Sequence, residues 1–107
     1  MDTQFKKGVL ELLVLSLINK KDYYGYELVS EVSKFIDINE GTLYPLLKRL
    51  TNDHYCETYL VESSEGPSRK YYKITASGKK RKNELIKIWN DFNKKVNKFI
   101  LESEKSE

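Results

Sequence analysis

Few residues in this chain can do covalent chemistry. His54 is the single histidine and Cys56 the single cysteine of 107 residues, which excludes a two-histidine metal site, an internal disulfide and a thiolate cluster. Cys56 reads as a buried or half-buried free thiol in a reducing compartment. The chain has no phosphate loop, no Gly-x-Ser-x-Gly elbow and no carboxylate pair beside a nucleophile. It therefore reads as a non-enzyme, with no metal or cofactor implied. What remains is the chemistry of cations, hydroxyls and aromatic faces. Residues 27–65 carry eight acids against Lys34, Lys48 and Arg49, a net of −5, whereas residues 66–98 carry eleven basic residues against Glu84 and Asp91, a net of +9. A basic run of that size suits a polyanion. A lysine-rich helix with a solvated face gives the same count. The stretch "NEGTLYPLLKRL" is the second candidate. Leu43, Leu46, Leu47 and Leu50 recur at helical spacing, while Gly41, Thr42 and Tyr44 stand at the opposite, exposed end, where a helix can be pressed against something.

These groups need a scaffold, and the composition allows one domain with one core. Hydrophobic residues make up 39% and charged residues 33% of the chain, with two prolines and five glycines, which favours a folded, helix-rich, soluble protein. The most apolar run, Val9 to Ile18, is interrupted by Glu11 and Ser16 and falls short of the roughly 20 residues that cross a bilayer. "MDTQFKKG" is not followed by a small-residue cleavage site, so no signal peptide and a cytoplasmic address are expected.

The first helix, "GVLELLVLSLI", is apolar almost all round and must be covered on every side, one flank by another subunit. "YYGYELVSEVSKFI" gives a second helix, with Tyr24, Leu28, Val32 and Phe35 or Ile36 on one stripe. The third ends near Asp53-His54. If its N-cap is Thr42, Pro45 lies at the third position, where its missing donor is harmless. If it begins at Asn39, the chain must kink at Pro45. Cys56 to Glu62 and Arg69 to Thr75 read as a two-stranded hairpin around the turn "SEGPS", with basic residues entering the second strand. Tyr72, rather than Tyr71, is expected in the core. Thr75 then caps a long last helix, on which Leu85, Trp89, Phe92, Val96 and Phe99 form a heptad seam suited to a partner helix.

This order is that of a mostly α winged helix-turn-helix with a two-stranded β-wing. It divides the chain into a DNA-binding domain over residues 1–75, a C-terminal dimerisation helix over 76–103 and a frayed acidic tail over 104–107. The segments "GVLELLVLSLI", "DYYGYEL", "GTLYPLLKRL" and "GPSRKYYKIT", with Gly78, resemble the PadR family of bacterial transcriptional regulators from about Lys7 to Gly78. The resemblance implies that "GTLYPLL" opens a DNA-recognition helix to which Pro45 belongs. It also implies that Thr42, Tyr44 and Lys48 face DNA and that Arg69 and Lys70 lie in the wing. Their chemistry agrees: cations neutralise phosphates, hydroxyls donate to phosphate oxygens or base edges, and Gly41 permits close backbone approach. The chain departs from the family pattern at His54, where a glycine usually follows the recognition helix, so backbone strain is expected there. The acidity around the recognition helix places the electrostatic weight on the wing and on two copies acting together.

The chain ends soon after the long helix and so resembles the short PadR subfamily. In the lactococcal multidrug-binding member a tryptophan follows the capping threonine by the same fourteen residues that separate Thr75 from Trp89. The resemblance implies that two such tryptophans form a slot for planar aromatic molecules. Leu85 and Phe92 would line it and Asp91 would contribute a negative charge; otherwise Trp89 is simply core of the seam. The resulting expectation is a homodimeric repressor on an inverted-repeat, double-stranded operator, released by a planar aromatic ligand, with no membrane involved. The alternatives are a DNA-binding regulator without a ligand and a helical protein-interaction module.

Overall fold

The computed structural model describes the backbone of residues 3–105 and side chains from Gly8 onward; the last two residues of the expected acidic tail lie outside it. Helix α1 (Thr3–Lys20), strand β1 (Tyr23–Tyr24), helices α2 (Gly25–Ser33) and α3 (Glu40–Asn52), strands β2 (Cys56–Ser63) and β3 (Gly66–Ile74) and helix α4 (Ala76–Lys105) follow in order. The sheet is antiparallel in the order β1-β3-β2, with Tyr23 opposite Tyr72, Tyr24 opposite Tyr71 and Cys56 opposite Ile74. Several of the expected boundaries change. Strand β3 begins at Gly66 rather than Arg69, so the turn expected over "SEGPS" shortens to Ser64–Glu65. The wing gains a third strand, because Tyr23 and Tyr24, aromatic residues suited to a pleated surface, pair with β3 before α2 begins. Consequently Tyr24 is not on the apolar stripe of α2, and Phe35, beyond its end, is 80% exposed. At the other end, α4 is helical through Lys105, two residues into the stretch expected to fray.

The core forms where the leucine stripes meet. Val14, Leu15 and Ile18 of α1, Leu28 of α2, Leu43, Leu47 and Leu50 of α3, and Tyr72 and Ile74 of β3 are buried together with Cys56. Burial pushes the Cys56 thiol up against a weaker opposing effect of its hydrogen bond with Thr51, which keeps it protonated and inert. The turn after α3 is closed by His54 at φ 63°, the one non-glycine residue with positive φ among those described. Its carbonyl accepts from the hydroxyls of Thr75 at 2.7 Å and Ser77 at 2.8 Å. Since a side chain in this conformation costs about 1–2 kcal/mol and the His54 ring is exposed, His54→Gly should raise stability. The added freedom of the unfolded chain offsets part of that relief, leaving a net gain of about 0.5–1 kcal/mol. A thermal midpoint no higher than that of the parent protein would contradict the strain.

Glu11, which interrupts the apolar run of α1, is only 7% exposed. Its carboxylate accepts from Arg49 Nη2 of α3 at 3.2 Å and from Arg81 Nε of α4 at 3.0 Å, so one buried charge ties three helices together. Burial pushes this carboxyl up, but the hydrogen bonds from Arg81 and Arg49 and their charges outweigh it, holding Glu11 below the ordinary value of 4.5. Its contribution is therefore fully present above pH 4.5 and is lost as pH falls through the lowered folded-state value. Glu11→Gln should cost about 1–2 kcal/mol at neutral pH, less than a fully buried pair because both arginines are partly solvated. Urea unfolding at descending pH should show the gap between parent and variant closing below that value; a gap independent of pH would exclude the ionic contribution.

Candidate nucleic-acid interface

Helix α3 is capped by Asn39, whose side-chain oxygen accepts from the Thr42 amide at 3.1 Å. Of the two starts compatible with the sequence this is the earlier one, so Pro45 lies in the second turn rather than at a donor-free position. The helix remains one element through it. Pro45 has no amide to give the carbonyl of Gly41, four residues back, but Gly41 is exposed and that carbonyl can be solvated. A Cβ on Gly41 would meet only Asn39 Oδ1, at 3.3 Å, so packing against the rest of the fold does not explain the glycine. Gly41, Tyr44 and Lys48 recur at 3 and 4 on the exposed face, opposite buried Leu43, Leu47 and Leu50. Thr42 is less available than its type suggested. It is half-buried, and its hydroxyl is within 3.4 Å of the capping oxygen of Asn39. Burial pushes the Tyr44 hydroxyl up, with Glu40 and Tyr26 acting in the same direction, so it is a proton donor at any physiological pH.

The wing stands across from this face. Strands β2 and β3 meet at the turn Ser64–Glu65, and Arg69 and Lys70 project from the exposed outer half of β3 opposite Val61 and Leu60. Alternation along the strand sends Arg69 to the face of Tyr71 and Lys70 to the face of Tyr72. Tyr72 is in the core and Tyr71 half-buried, as the alternation implied. Between α3, the start of α2 and the wing lies an open cleft of about 690 Å³, lined by Tyr44, Tyr26, Pro67, Arg69 and Lys70 among others. Arg69 and Lys70 outweigh the one carboxylate, Glu65, and with the tyrosines beside them along an open channel they suit an extended anionic chain better than an enclosed small molecule. Lys48, on the same helix face as Tyr44, does not line the cleft and extends the surface along α3.

The second candidate region is distinct. Leu85, Trp89 and Phe92 of α4 line an apolar groove of about 250 Å³ with Val9 and Leu12 of α1. Asp91 is not among its walls, because a residue two positions from Trp89 points to the far side of a helix. Beyond the groove the seam continues uncovered: Val96 is 38% and Phe99 74% exposed.

Three helices, a three-stranded antiparallel wing and an exposed α3 facing that wing define a winged helix-turn-helix protein. The profile of the Transcriptional regulator PadR-like family matches residues 14–84, and the chain belongs to that family. It is similar to a crystal structure of a PadR-like transcriptional regulator from Bacillus cereus, with 39% identity and a TM-score of 0.81 over 92% of this chain and 97% of that one. A transcriptional regulator from Streptococcus is 38% identical, with a TM-score of 0.80 over 90% of this chain and 96% of the other. The Bacillus subtilis PadR, crystallised with operator DNA, is 27% identical with a TM-score of 0.66, over 73% of this chain and 45% of its own length. Among the described residues no helix is long and apolar enough to cross a membrane.

Proposed function

We propose that this chain is a cytoplasmic, homodimeric repressor that binds an inverted-repeat operator and is released by a planar aromatic molecule. The observation that carries the DNA-binding part is the pairing of two exposed surfaces. Tyr44 on α3 faces Arg69 and Lys70 of the wing across an open cleft, and Gly41 and Lys48 continue the exposed face of α3 beside it. The helix would enter a major groove and the wing would hold the adjacent backbone, with Thr42 at the helix start. The operator-bound Bacillus subtilis relative supports this reading.

The exposed seam of α4 supports the dimer. The helix has 30 residues, about 45 Å of length, yet among its described residues Gly78 alone is buried. A seam of exposed Trp89, Phe92, Val96 and Phe99 is covered when two copies join through α1 and α4. Two-fold symmetry in the protein then calls for an inverted repeat in the DNA. Trp89 in the apolar groove is the platform on which an aromatic ligand would stack. Release follows if the ligand favours a dimer whose recognition helices no longer match successive grooves.

The deciding experiment is binding of the purified protein to the duplex upstream of its own gene, against a scrambled duplex, at two salt concentrations. A preference of about a thousandfold that weakens steeply with salt is expected. Absence of binding to both duplexes at low salt would favour a protein-interaction module instead. Trp89 is the only tryptophan of the chain, so its fluorescence reports directly on the ligand part: planar aromatic cations should quench it and free the operator together. Quenching without release would leave a DNA-binding regulator with no ligand control.

A further inference from the structure

Tyr24 and Gly25 are consecutive residues at the junction of β1 and α2, and each touches one of the two surfaces that face across the cleft. The Tyr24 ring lies under the guanidinium of Arg69, 4.8 Å from centroid to Cζ. That ring is itself held. It packs against Tyr71 at 5.7 Å, Tyr71 stacks on Tyr59 at 5.6 Å with 12° between planes, and the Tyr59 hydroxyl donates to Asp22 at 2.6 Å. The donated proton pushes the Tyr59 hydroxyl up to about 12, so the anchor persists throughout the physiological range. The ladder thus runs from Arg69 across all three strands and returns to the residue just before β1.

Gly25 serves the other surface. It is buried at the first position of α2, and a Cβ there would come within 2.7 Å of Tyr44 Cε1 and 3.2 Å of its hydroxyl oxygen. No larger residue leaves the Tyr44 ring where it is. From these contacts we infer that Tyr24 and Gly25 are positioning residues for DNA recognition. Tyr24 holds the wing cation Arg69 and Gly25 seats the recognition-helix phenol Tyr44, so a two-residue segment fixes the spacing between helix and wing. The inference rests on the DNA-binding reading above and assigns no DNA contact to either residue.

Double-mutant cycles on DNA affinity test it, using a mixed-sequence duplex at low salt, with thermal midpoints recorded alongside. Gly25→Ala should weaken binding about tenfold in the parent protein and less than about twofold in a Tyr44→Ala background, where no ring obstructs the new methyl. Tyr24→Leu should weaken binding about fivefold in the parent and less than about twofold in an Arg69→Ala background. The crossed pairs, Gly25→Ala with Arg69→Ala and Tyr24→Leu with Tyr44→Ala, should keep their full losses. A general loss of folding would lower binding alike in the parent, Tyr44→Ala and Arg69→Ala backgrounds, which would overturn the inference. Should Gly25→Ala alone fail to fold, Gly25→Ala with Tyr44→Ala should fold, and failure of that double variant would also overturn it. If Tyr44→Ala and Arg69→Ala both bind as the parent does, the DNA-binding reading of those residues fails and the inference with it. If they weaken binding but show no coupling, only the inference fails.

Discussion

Gly78→Ala is expected to destabilise the protein by about 3 kcal/mol, a large share of the roughly 5–15 kcal/mol that holds a domain of this size together. On helix propensity alone the sign would be reversed, since alanine is the better helix former by about 1 kcal/mol. Contact geometry decides otherwise. A Cβ at position 78 would lie 2.9 Å from the carbonyl carbon of Tyr55, with the oxygen of that carbonyl nearer still, and 2.8 Å from Ile74 Cγ1. Backbone cannot turn aside as a side-chain end can. The same carbonyl accepts from the Thr75 amide at 3.1 Å, and the Thr75 hydroxyl accepts from the Gly78 amide at 3.0 Å, so the first turn of α4 is bonded to the loop it would have to leave. Urea unfolding should show the midpoint falling sharply for Gly78→Ala and much less for Ser77→Ala, whose side chain is exposed. Equal midpoints for the parent and Gly78→Ala would mean that the start of α4 lifts freely from the domain.

The second large effect concerns binding. Replacing Arg69 and Lys70 together by alanine should lower DNA affinity at low salt by a factor on the order of 10–100. It should also reduce the slope of log affinity against log salt by about 2, one unit for each phosphate that is no longer neutralised. Stability should change little, because both side chains are exposed and only the stacking of Arg69 on Tyr24 is given up. Replacing Lys94 and Lys95 on the far part of α4 removes the same charge from an equally exposed place. That pair should leave affinity within about threefold of the parent. Equal losses for the two pairs would show that net charge, rather than the wing, governs binding.

The parts of the fold that were legible in the sequence are those written as periodicity over several turns or strands. The leucine spacing of α3, the alternation that buries Tyr72, the capping Thr75 and the seam of α4 all lie where expected. Strand β1 was not legible, because two residues carry no period and Tyr24 fits a helical stripe as well as a strand. Nor was Glu11, which interrupted an apolar run without indicating why. Its partners are 38 and 70 residues away, and only the fold brings them together. At the candidate interface, residue types and family resemblance pointed to Tyr44, Lys48, Arg69 and Lys70, which the fold leaves exposed around or beside one cleft. They could not reveal that the Thr42 hydroxyl lies against its own cap or that Asp91 turns away from Trp89. Both follow from helix geometry once the start of α3 and the groove-facing side of α4 are known.

The bridge between Glu11 and Arg81 also bears on the order of folding. Joining residues that far apart encloses most of the chain in one loop, whereas the β2–β3 hairpin and the helices are built from near neighbours. Contacts of high sequence separation tend to close late, after local elements have shortened the effective loop. Loss of the carboxylate in Glu11→Gln should therefore appear chiefly as faster unfolding, with the folding rate nearly unchanged. The residue that joins α1, α3 and α4 would then set how long the assembled domain survives rather than how quickly it forms.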